Sequence, residues 1–257
     1  MAQTRWTITF QVSRKKEEST AHFDIFKLDV DPDEYVLDAV ERIWAFHDRT
    51  LVFRHACHHS TCGACGMRVN GAEKLTCITP IRDVTHDGGV VRVEPMRNFP
   101  VISDLAVDMG VMYLPMEQVG QHAVNNDSLE AIQPEARPAG PNLAGQEFPR
   151  LSDCIECGLC ISACPISASS PEYLGPAVLA GAHQHGIQGD AQILQLLDCE
   201  DGIWRCHSAF ECTAVCPSFV DPGWRIMDLR KQVIGIRFKQ LFGGQNVKQN
   251  DPVEVSK

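Results

Sequence analysis

The chain has 257 residues, 44% of them hydrophobic, and a formal net charge of −10. This length and apolar content allow two domains with buried cores and exclude a disordered tail. The acidic balance argues against binding to nucleic acid or to an anionic membrane surface, because both require clustered Lys and Arg, so we expect the partners to be protein surfaces.

The N-terminus enters an alternating polar and apolar pattern at once, without a basic region followed by an apolar one, and we expect no export signal. The sequence has no continuous apolar run of the ~18 residues that a membrane helix needs. We therefore expect a chain that folds in the cytosol and reaches a membrane only through partner subunits.

The first predicted elements are two strands and a helix. Apolar residues alternate in the first strand at Trp6, Ile8, Phe10 and Val12. Residues 23–30 predict a second strand. Residues 31–34 read DPDE, in which Asp31 can cap a helix, Pro32 takes the first helical position and Glu34 completes a capping box. A helix should follow through residue 48, with one apolar stripe against the sheet.

Twelve cysteines in a chain expected in a reducing compartment indicate metal binding rather than a disulfide scaffold, which is usually secreted and shorter. The first group has the spacing C-x4-C-x2-C with a distant fourth member: Cys57, Cys62, Cys65 and Cys77. This plant-type spacing predicts a 2Fe-2S cluster. Gly63 and Gly66 should let the backbone approach closely and direct N–H groups at sulfur. Structural zinc is the alternative, although zinc sites favour two separated short pairs.

Three histidines share this loop: His55, His58 and His59. They raise the possibility of Rieske-type ligation, in which two histidines replace two cysteines on one iron. Because four cysteines already suffice, we expect these histidines to be loop or surface residues.

A hairpin is predicted after the loop, because Asn70 and Gly71 tolerate positive φ and lie between residues 67–69 and 72–77. Cys77 should reach the cluster from the second strand of this hairpin. Residues 90–94 predict a further strand. A small sheet with one helix indicates a grasp-like fold.

Residues 120–149 are rich in proline with little periodicity, which predicts a linker or a surface connection. Beyond them, helices are predicted over residues 176–183, 191–197 and 224–241. We therefore expect an α+β protein with a 2Fe-2S domain at 1–112, a connection at 113–149 and a mostly helical domain at 150–257.

The helical part contains the bacterial C-x2-C-x2-C-x3-C-P run at Cys154, Cys157, Cys160 and Cys164. In two-cluster ferredoxins the fourth cysteine of this run ligates the other cluster. By that rule Cys216, from the second run, completes a 4Fe-4S cluster with the first three cysteines.

The second run, CHSAFECTAVCP, has Ala209 where one more cysteine would belong. Its cluster receives only Cys164, Cys206 and Cys212, and a cubane corner without a thiolate loses iron readily, so we expect 3Fe-4S. A 4Fe-4S cluster with water or another ligand is the alternative. Cys199 has no place in this partition, and we expect a small buried residue.

Three clusters without a GxGxxG fingerprint or a catalytic acid-base set indicate an electron carrier whose substrate and organic cofactor lie on a partner. The motifs CHHSTCGACG, CIECGLCISACP and CHSAFECTAVCP, with PVISDLAVDMG at residues 100–110, resemble the iron–sulfur subunit of succinate dehydrogenase and fumarate reductase over nearly the whole chain. Other ferredoxin-like oxidoreductase subunits usually lack the first motif, and a zinc-stabilised interaction protein would not need the ferredoxin spacings.

The resemblance implies a β-grasp domain and an α-helical ferredoxin domain, docked between an FAD-containing catalytic subunit and membrane-anchor subunits at the cytoplasmic face of a prokaryotic membrane. Electrons would pass from FAD through 2Fe-2S, 4Fe-4S and 3Fe-4S to quinone, as in the respiratory chain and the tricarboxylic acid cycle. Pro165 and His207 match the family's quinone pocket, but a tryptophan common after the CP dipeptide is absent. We expect succinate oxidation, with fumarate reduction as the alternative.

Overall fold

The structure is a computed structural model that describes residues 5–16, 19–119, 154–185 and 191–242. Strands dominate the N-terminal part and helices the C-terminal part, as the sequence predicts. The predicted connection at 120–149 lies outside the described residues. The predicted domain boundary at residue 112 falls inside a helix, α2 (Gly110–Gln118).

The N-terminal part is a five-stranded sheet. Its strands are β1 (Trp6–Arg14), β2 (His22–Val30), β3 (Gly66–Val69), β4 (Ala72–Leu75) and β5 (Val90–Glu94). The order is β2-β1-β5-β3-β4. The β1–β5 pair is parallel, and the other pairs are antiparallel. A short pair, β6 (Val101–Ser103) and β7 (Ala106–Val107), follows.

One helix, α1 (Val36–Phe46), covers this sheet. The alternation predicted for β1 is confirmed, because Ile8, Phe10 and Val12 are fully buried. They pack in one cluster with the apolar stripe of α1, which includes Val40 and Ile43. Burying each such side chain contributes ~1.5–3 kcal/mol to the stability of the folded chain. Because the buried side chains of α1 and of the sheet belong to one cluster, they form one core.

The predicted start of α1 is wrong. The helix begins at Val36, and the DPDE segment instead forms a turn, in which Asp33 N donates to Asp31 Oδ1 and Glu34 N donates to the Asp31 carbonyl. Ile81 N donates to the Glu34 carbonyl. This hydrogen bond holds residues 31–34 against the 3-10 turn Ile81–Asp83, so the helix starts only after Glu34. At the actual start, the side chain of Asp38 accepts a hydrogen bond from Tyr35 N at 3.2 Å.

The predicted hairpin is confirmed. Asn70 and Gly71 connect β3 to β4 with φ values of 50° and 86°. Cys77, however, lies in a 3-10 turn (Thr76–Ile78) directly after β4, not in the strand. Thr76 Oγ1 donates to the Cys65 carbonyl at 2.9 Å, which holds this turn beside the start of β3.

The regular elements of the C-terminal part are helices, and its described residues contain no strand. Its helices are α3 (Leu159–Ala163), α4 (Pro165–Ser169), α5 (Gly175–His185), α6 (Ala191–Leu197), α7 (Glu211–Ala214) and α8 (Pro222–Phe242). Three of them confirm the predicted helices over residues 176–183, 191–197 and 224–241. Among the described helices, none has both the length and the apolar character required to cross a bilayer.

The two parts are joined by a buried polar network. Arg97 N donates to Ser162 Oγ at 2.9 Å, and Ser162 Oγ donates to Glu73 Oε1 at 3.1 Å. Asn98 Nδ2 donates to the carbonyls of Ile161 and Cys164 at 2.7 and 3.0 Å. Because the last carbonyls of α3 need hydrogen-bond donors, Asn98 both caps α3 and fixes the position of Cys164.

Candidate iron–sulfur centres

The first thiol group lies between α1 and the hairpin. Cys57 and Cys62 belong to the loop, Cys65 precedes β3 and is buried, and Cys77 lies in the 3-10 turn. Burial, and then the Cys65 thiol, raise the pKa of Cys77 to about 12. The structure thus brings the four predicted residues together from three consecutive elements.

Backbone N–H groups of the loop are directed at these sulfurs. The N–H groups of His59 and Thr61 donate to Cys57 Sγ at 3.4 and 3.3 Å, and Ser60 N donates to Cys77 Sγ at 3.4 Å. The bond from His59 is the main cause that lowers the pKa of Cys57 to about 6. Such donors stabilise thiolate charge, as a bound cluster requires.

Gly63 joins the first group to the second. Its φ is +68°, and a Cβ built there would lie 2.4 Å from the Ile155 carbonyl oxygen and 2.9 Å from Cys157 Cα. Gly63 was expected to let the backbone approach a cluster. In the structure, its missing side chain leaves room for the backbone of Ile155 and Cys157. The two loops touch through their backbones at this position.

The second thiol group combines the first three cysteines of the bacterial run with the last cysteine of the chain. All four line one cavity with about 450 Å³ of empty volume, part of it open to solvent: Cys154, Cys157, Cys160 and Cys216. Val220 N donates to Cys216 Sγ at 3.3 Å. Burial raises the pKa of Cys157 to about 12 and that of Cys160 well above its ordinary value.

A buried cation accompanies this second group. Arg225, on α8, is 1% exposed, and its Nε donates to the Val220 carbonyl at 2.9 Å. Its NH1 lies 3.2 Å from His183 Nδ1, whose Nε2 contacts Asp228 at 2.9 Å. Burial lowers the pKa of Arg225, while the charge of Asp221 and then that of Cys154 raise it. The guanidinium therefore offsets negative charge at this group.

The third thiol group contains Cys164, at the end of α3, together with Cys206 and Cys212. Burial, and then the Cys164 and Cys206 sulfurs, raise the pKa of Cys212 to about 12. Arg230 of α8 donates to the carbonyls of Ile203 and Cys206. It thereby holds the segment that carries Cys206.

Tyr173 was missed by the sequence reasoning. It is buried and faces the third group, where its hydroxyl can donate to Cys206; burial, followed by the charges of Cys206 and Cys164, raises its pKa. The only signal in the sequence is an aromatic residue nine positions after Cys164, which has no fixed meaning without the fold.

Replacing Tyr173 with phenylalanine should lower the midpoint potential of the third centre by tens of millivolts, on the order expected when a hydrogen bond to a ligating sulfur is lost. An EPR-monitored redox titration measures it. Tyr113→Phe is the matched control. Burial and then the charge of Glu156 raise the pKa of Tyr113, and Cys157 and Cys154 of the second group contribute less. Equal shifts in the two variants would contradict the assigned role.

The remaining predicted residues lie at the surface. Pro165 opens α4 and follows Cys164, while His207 follows Cys206, and both are exposed. Each therefore adjoins the third group in sequence and is open to a partner. Cys199 is exposed rather than buried, and its sulfur bonds to the Leu196 carbonyl. The expectation of a small buried residue is wrong because the segment after α6 turns outward.

The donor sets fit iron–sulfur clusters. Eleven cysteines fall into two groups of four and one of three, and no sulfur in them forms a disulfide. Burial raises the pKa of five of these thiols: Cys77, Cys154, Cys157, Cys160 and Cys212. Bound metal cations would compensate for deprotonating them.

Comparison with known proteins finds iron–sulfur families and iron–sulfur subunits. Residues 9–113 match the family described as "2Fe-2S iron-sulfur cluster binding domain", and residues 150–220 match "4Fe-4S dicluster domain". The fumarate reductase iron-sulfur subunit of Mycobacterium tuberculosis is 38% identical, with 91% of this chain and 96% of that protein covered. The mitochondrial succinate dehydrogenase iron-sulfur subunit of Dictyostelium discoideum is 32% identical, with coverage of 87% and 81%.

A solved structure shares the fold. A chain of the Mycobacterium smegmatis Sdh1 complex in the apo form superimposes with a TM-score of 0.72 at 22% identity, covering 91% of this chain and 98% of that chain. At this identity the likeness concerns the fold alone. A strand-rich part followed by a helical part is thus common to both chains.

Proposed function

This chain belongs to the iron–sulfur subunits of fumarate reductase and succinate dehydrogenase, and from that premise we propose that it carries electrons in a succinate:quinone oxidoreductase. The observation that supports this most directly is the spatial partition of its cysteines into groups of four, four and three, with Ala209 in place of a twelfth ligand.

We assign 2Fe-2S to Cys57, Cys62, Cys65 and Cys77, 4Fe-4S to Cys154, Cys157, Cys160 and Cys216, and 3Fe-4S to Cys164, Cys206 and Cys212. When bound, these clusters supply one-electron redox couples between FAD on the catalytic subunit and quinone. The chain's own residues would hold them: backbone N–H groups donate to the sulfurs of Cys57 and Cys77, Arg225 places positive charge near Cys154, and Tyr173 faces Cys206.

The domains proposed are a β-grasp unit at 1–112 and an α-helical ferredoxin unit at 150–257, with a connection at 113–149. The sheet order and the covering helix support the first assignment. The hydrogen bonds through Ser162 hold the two units in one relative position. Electron transfer between clusters in different units requires such a constant, short distance.

Exposed apolar side chains support a membrane-anchor partner. Phe219 is 86% exposed and lies near Cys216, and Trp224 is half exposed on α8. The last turns of α8 expose a further set: Ile234, Phe238, Leu241 and Phe242. Surfaces of this kind mark protein or membrane contacts, and they support attachment through anchor subunits. That the attachment is at the cytoplasmic face is part of the proposal.

Pro165 and His207 are proposed to border the quinone. Both adjoin ligands of the 3Fe-4S site and both are exposed. A quinone placed between them and the anchor subunits would receive electrons from the last centre of the relay. His207 could then hold or move a proton at its ring.

Metal analysis and EPR of the purified complex test the proposal. An anaerobic, fully loaded sample should contain about nine irons per chain with matching acid-labile sulfide. Succinate should abolish an isotropic signal from oxidised 3Fe-4S and generate a reduced 2Fe-2S signal. A zinc-containing chain without sulfide would contradict the proposal outright.

Fumarate reduction is the second candidate, since relatives of both names match the chain. One relay serves either direction according to the potentials at its ends. Comparing succinate:quinone with quinol:fumarate turnover in the same preparation decides between them, and a faster quinol:fumarate rate would reverse the proposed direction.

A further inference from the structure

One group of metal-binding side chains lies outside the three thiol groups. Glu41 on α1 and two histidines of the first cysteine loop, His55 and His58, each place one ligand atom within 4.8 Å of the others. Glu41 Oε1 is 2.9 Å from His55 Nδ1 and 3.1 Å from His58 Nε2. The two ring nitrogens are 3.3 Å apart.

This triangle has the size of one face of a zinc coordination tetrahedron. With metal–ligand bonds of ~2.0–2.1 Å, tetrahedral geometry separates two ligand atoms by ~3.3–3.4 Å. The observed separations are equal to this or a few tenths of an ångström shorter. A metal ion would therefore enter with only slight side-chain movement and would keep its fourth position open to water.

The Glu41 oxygen that faces the two histidines is at ion-pair distance from both rings but receives no hydrogen bond from them. This oxygen, Oε1, is shielded from solvent and, among the described residues, receives no hydrogen bond of good geometry. Both imidazole nitrogens lie close to it, but off the direction of a proper N–H bond. A buried acceptor in this state is costly, and a cation coordinated by all three atoms satisfies it.

The two histidines belong to one loop but are held in place by different features. The ring of His55 stacks on Phe53, with centroids 5.0 Å apart and planes 20° from parallel. His58 has a left-handed backbone with φ of 61°, which is uncommon for a residue other than glycine. Its side chain therefore turns back toward α1 from a loop whose N–H groups are bonded to Cys57.

We propose that Glu41, His55 and His58 form a binding site for a divalent transition-metal ion of the zinc class. Two imidazoles and one carboxylate are a donor set that zinc accepts, and the open fourth position is typical of exchangeable rather than structural zinc. The site is distinct from the cysteine ligands, none of which belongs to it.

The ion would act on the neighbouring cluster. His58 directly follows Cys57, so a bound dication adds positive charge beside a proposed 2Fe-2S ligand and favours the reduced cluster. Zinc should thus raise the 2Fe-2S midpoint potential and slow onward electron transfer. This second step rests on the proposed function, whereas metal binding itself does not.

Equilibrium dialysis of the intact complex against Zn²⁺, followed by metal analysis, tests the site. The parent chain should bind one zinc ion that Glu41→Gln and His58→Asn bind at least tenfold more weakly. Asparagine tolerates the left-handed backbone at this position. His59→Gln is the matched control, since His59 neighbours the site but belongs to neither its triangle nor the proposed ligands.

Zinc binding of equal strength in all four proteins, or none in the parent, would overturn the site. Iron and sulfide content, measured in the same samples, reports the proposed function separately, because loss of a cluster changes iron and not this zinc. With clusters intact, an EPR redox titration should show a positive shift of the 2Fe-2S potential on adding Zn²⁺ to the parent and to His59→Gln alone. An unchanged parent potential would overturn the regulatory step.

Discussion

Replacing Ala209 with cysteine should convert the proposed 3Fe-4S centre into 4Fe-4S and suppress electron delivery to quinone. The new thiolate supplies the missing ligand in the CHSAFEC segment, so a fourth iron is retained. A 4Fe-4S cluster is expected to have a lower potential than the 3Fe-4S cluster it replaces. Each ~59 mV of decrease lowers a one-electron equilibrium tenfold, and we expect quinone reduction to fall at least tenfold.

Iron analysis and EPR measure this conversion directly. The content should rise from about nine to about ten irons per chain, and the isotropic signal of the oxidised sample should disappear. Ser208→Cys is the control, because Ser208 Oγ contacts Met227 Sδ at 3.3 Å and so points toward α8. A variant that gains no iron, or a control that gains as much, would show that position 209 is not the empty ligand position.

Replacing Gly63 with alanine should both destabilise the protein and interrupt transfer between the first two centres. An alanine at φ +68° costs ~1–2 kcal/mol from backbone strain alone. Its methyl group would also meet backbone atoms of Ile155 and Cys157 at 2.4 and 2.9 Å. Backbone atoms cannot step aside as side chains do, so the two cysteine loops must separate.

Gly88→Ala is the control that measures the cost of backbone strain alone, because Gly88 has φ +74° and no atom lies within 4 Å of a Cβ built there. We expect Gly63→Ala to be less stable than Gly88→Ala by at least about 2 kcal/mol in denaturant unfolding. Rapid-freeze EPR after succinate should show 2Fe-2S reduced normally and the later centres reduced slowly. Identical behaviour of the two variants would mean that close loop contact has no part in the relay.

Local features were predicted well from sequence. Alternation in β1, the Asn70-Gly71 turn and the long α8 depend on neighbours in the chain, and each is found as predicted. The first turn of α1 was misplaced because Glu34 is held by Ile81, far away in sequence. Capping rules describe an isolated helix and do not include such a contact.

Among the functional residues, too, some were predictable from local sequence and others were not. The cysteine runs follow from ligand spacing within short segments, whereas the exchange of Cys164 and Cys216 between the two runs follows from the rule for two-cluster ferredoxins. Their assignment to particular clusters stays a prediction. Tyr173 and Glu41 had no sequence signal, because each meets its partners only through packing. His55 and His58 were predicted to be loop or surface residues, and both are exposed. The prediction did not include their contact with Glu41.

By itself, the sequence determined the order of the two parts, most of their elements and the cysteine runs, since periodicity, turn chemistry and ligand spacing act over a few residues. Only the tertiary structure decided that the loop of Gly63 touches the loop of Cys157, that Tyr173 faces Cys206, and that Glu41 meets two histidines. These contacts join segments distant in the chain, and their geometry arises when whole elements pack to bury apolar surface.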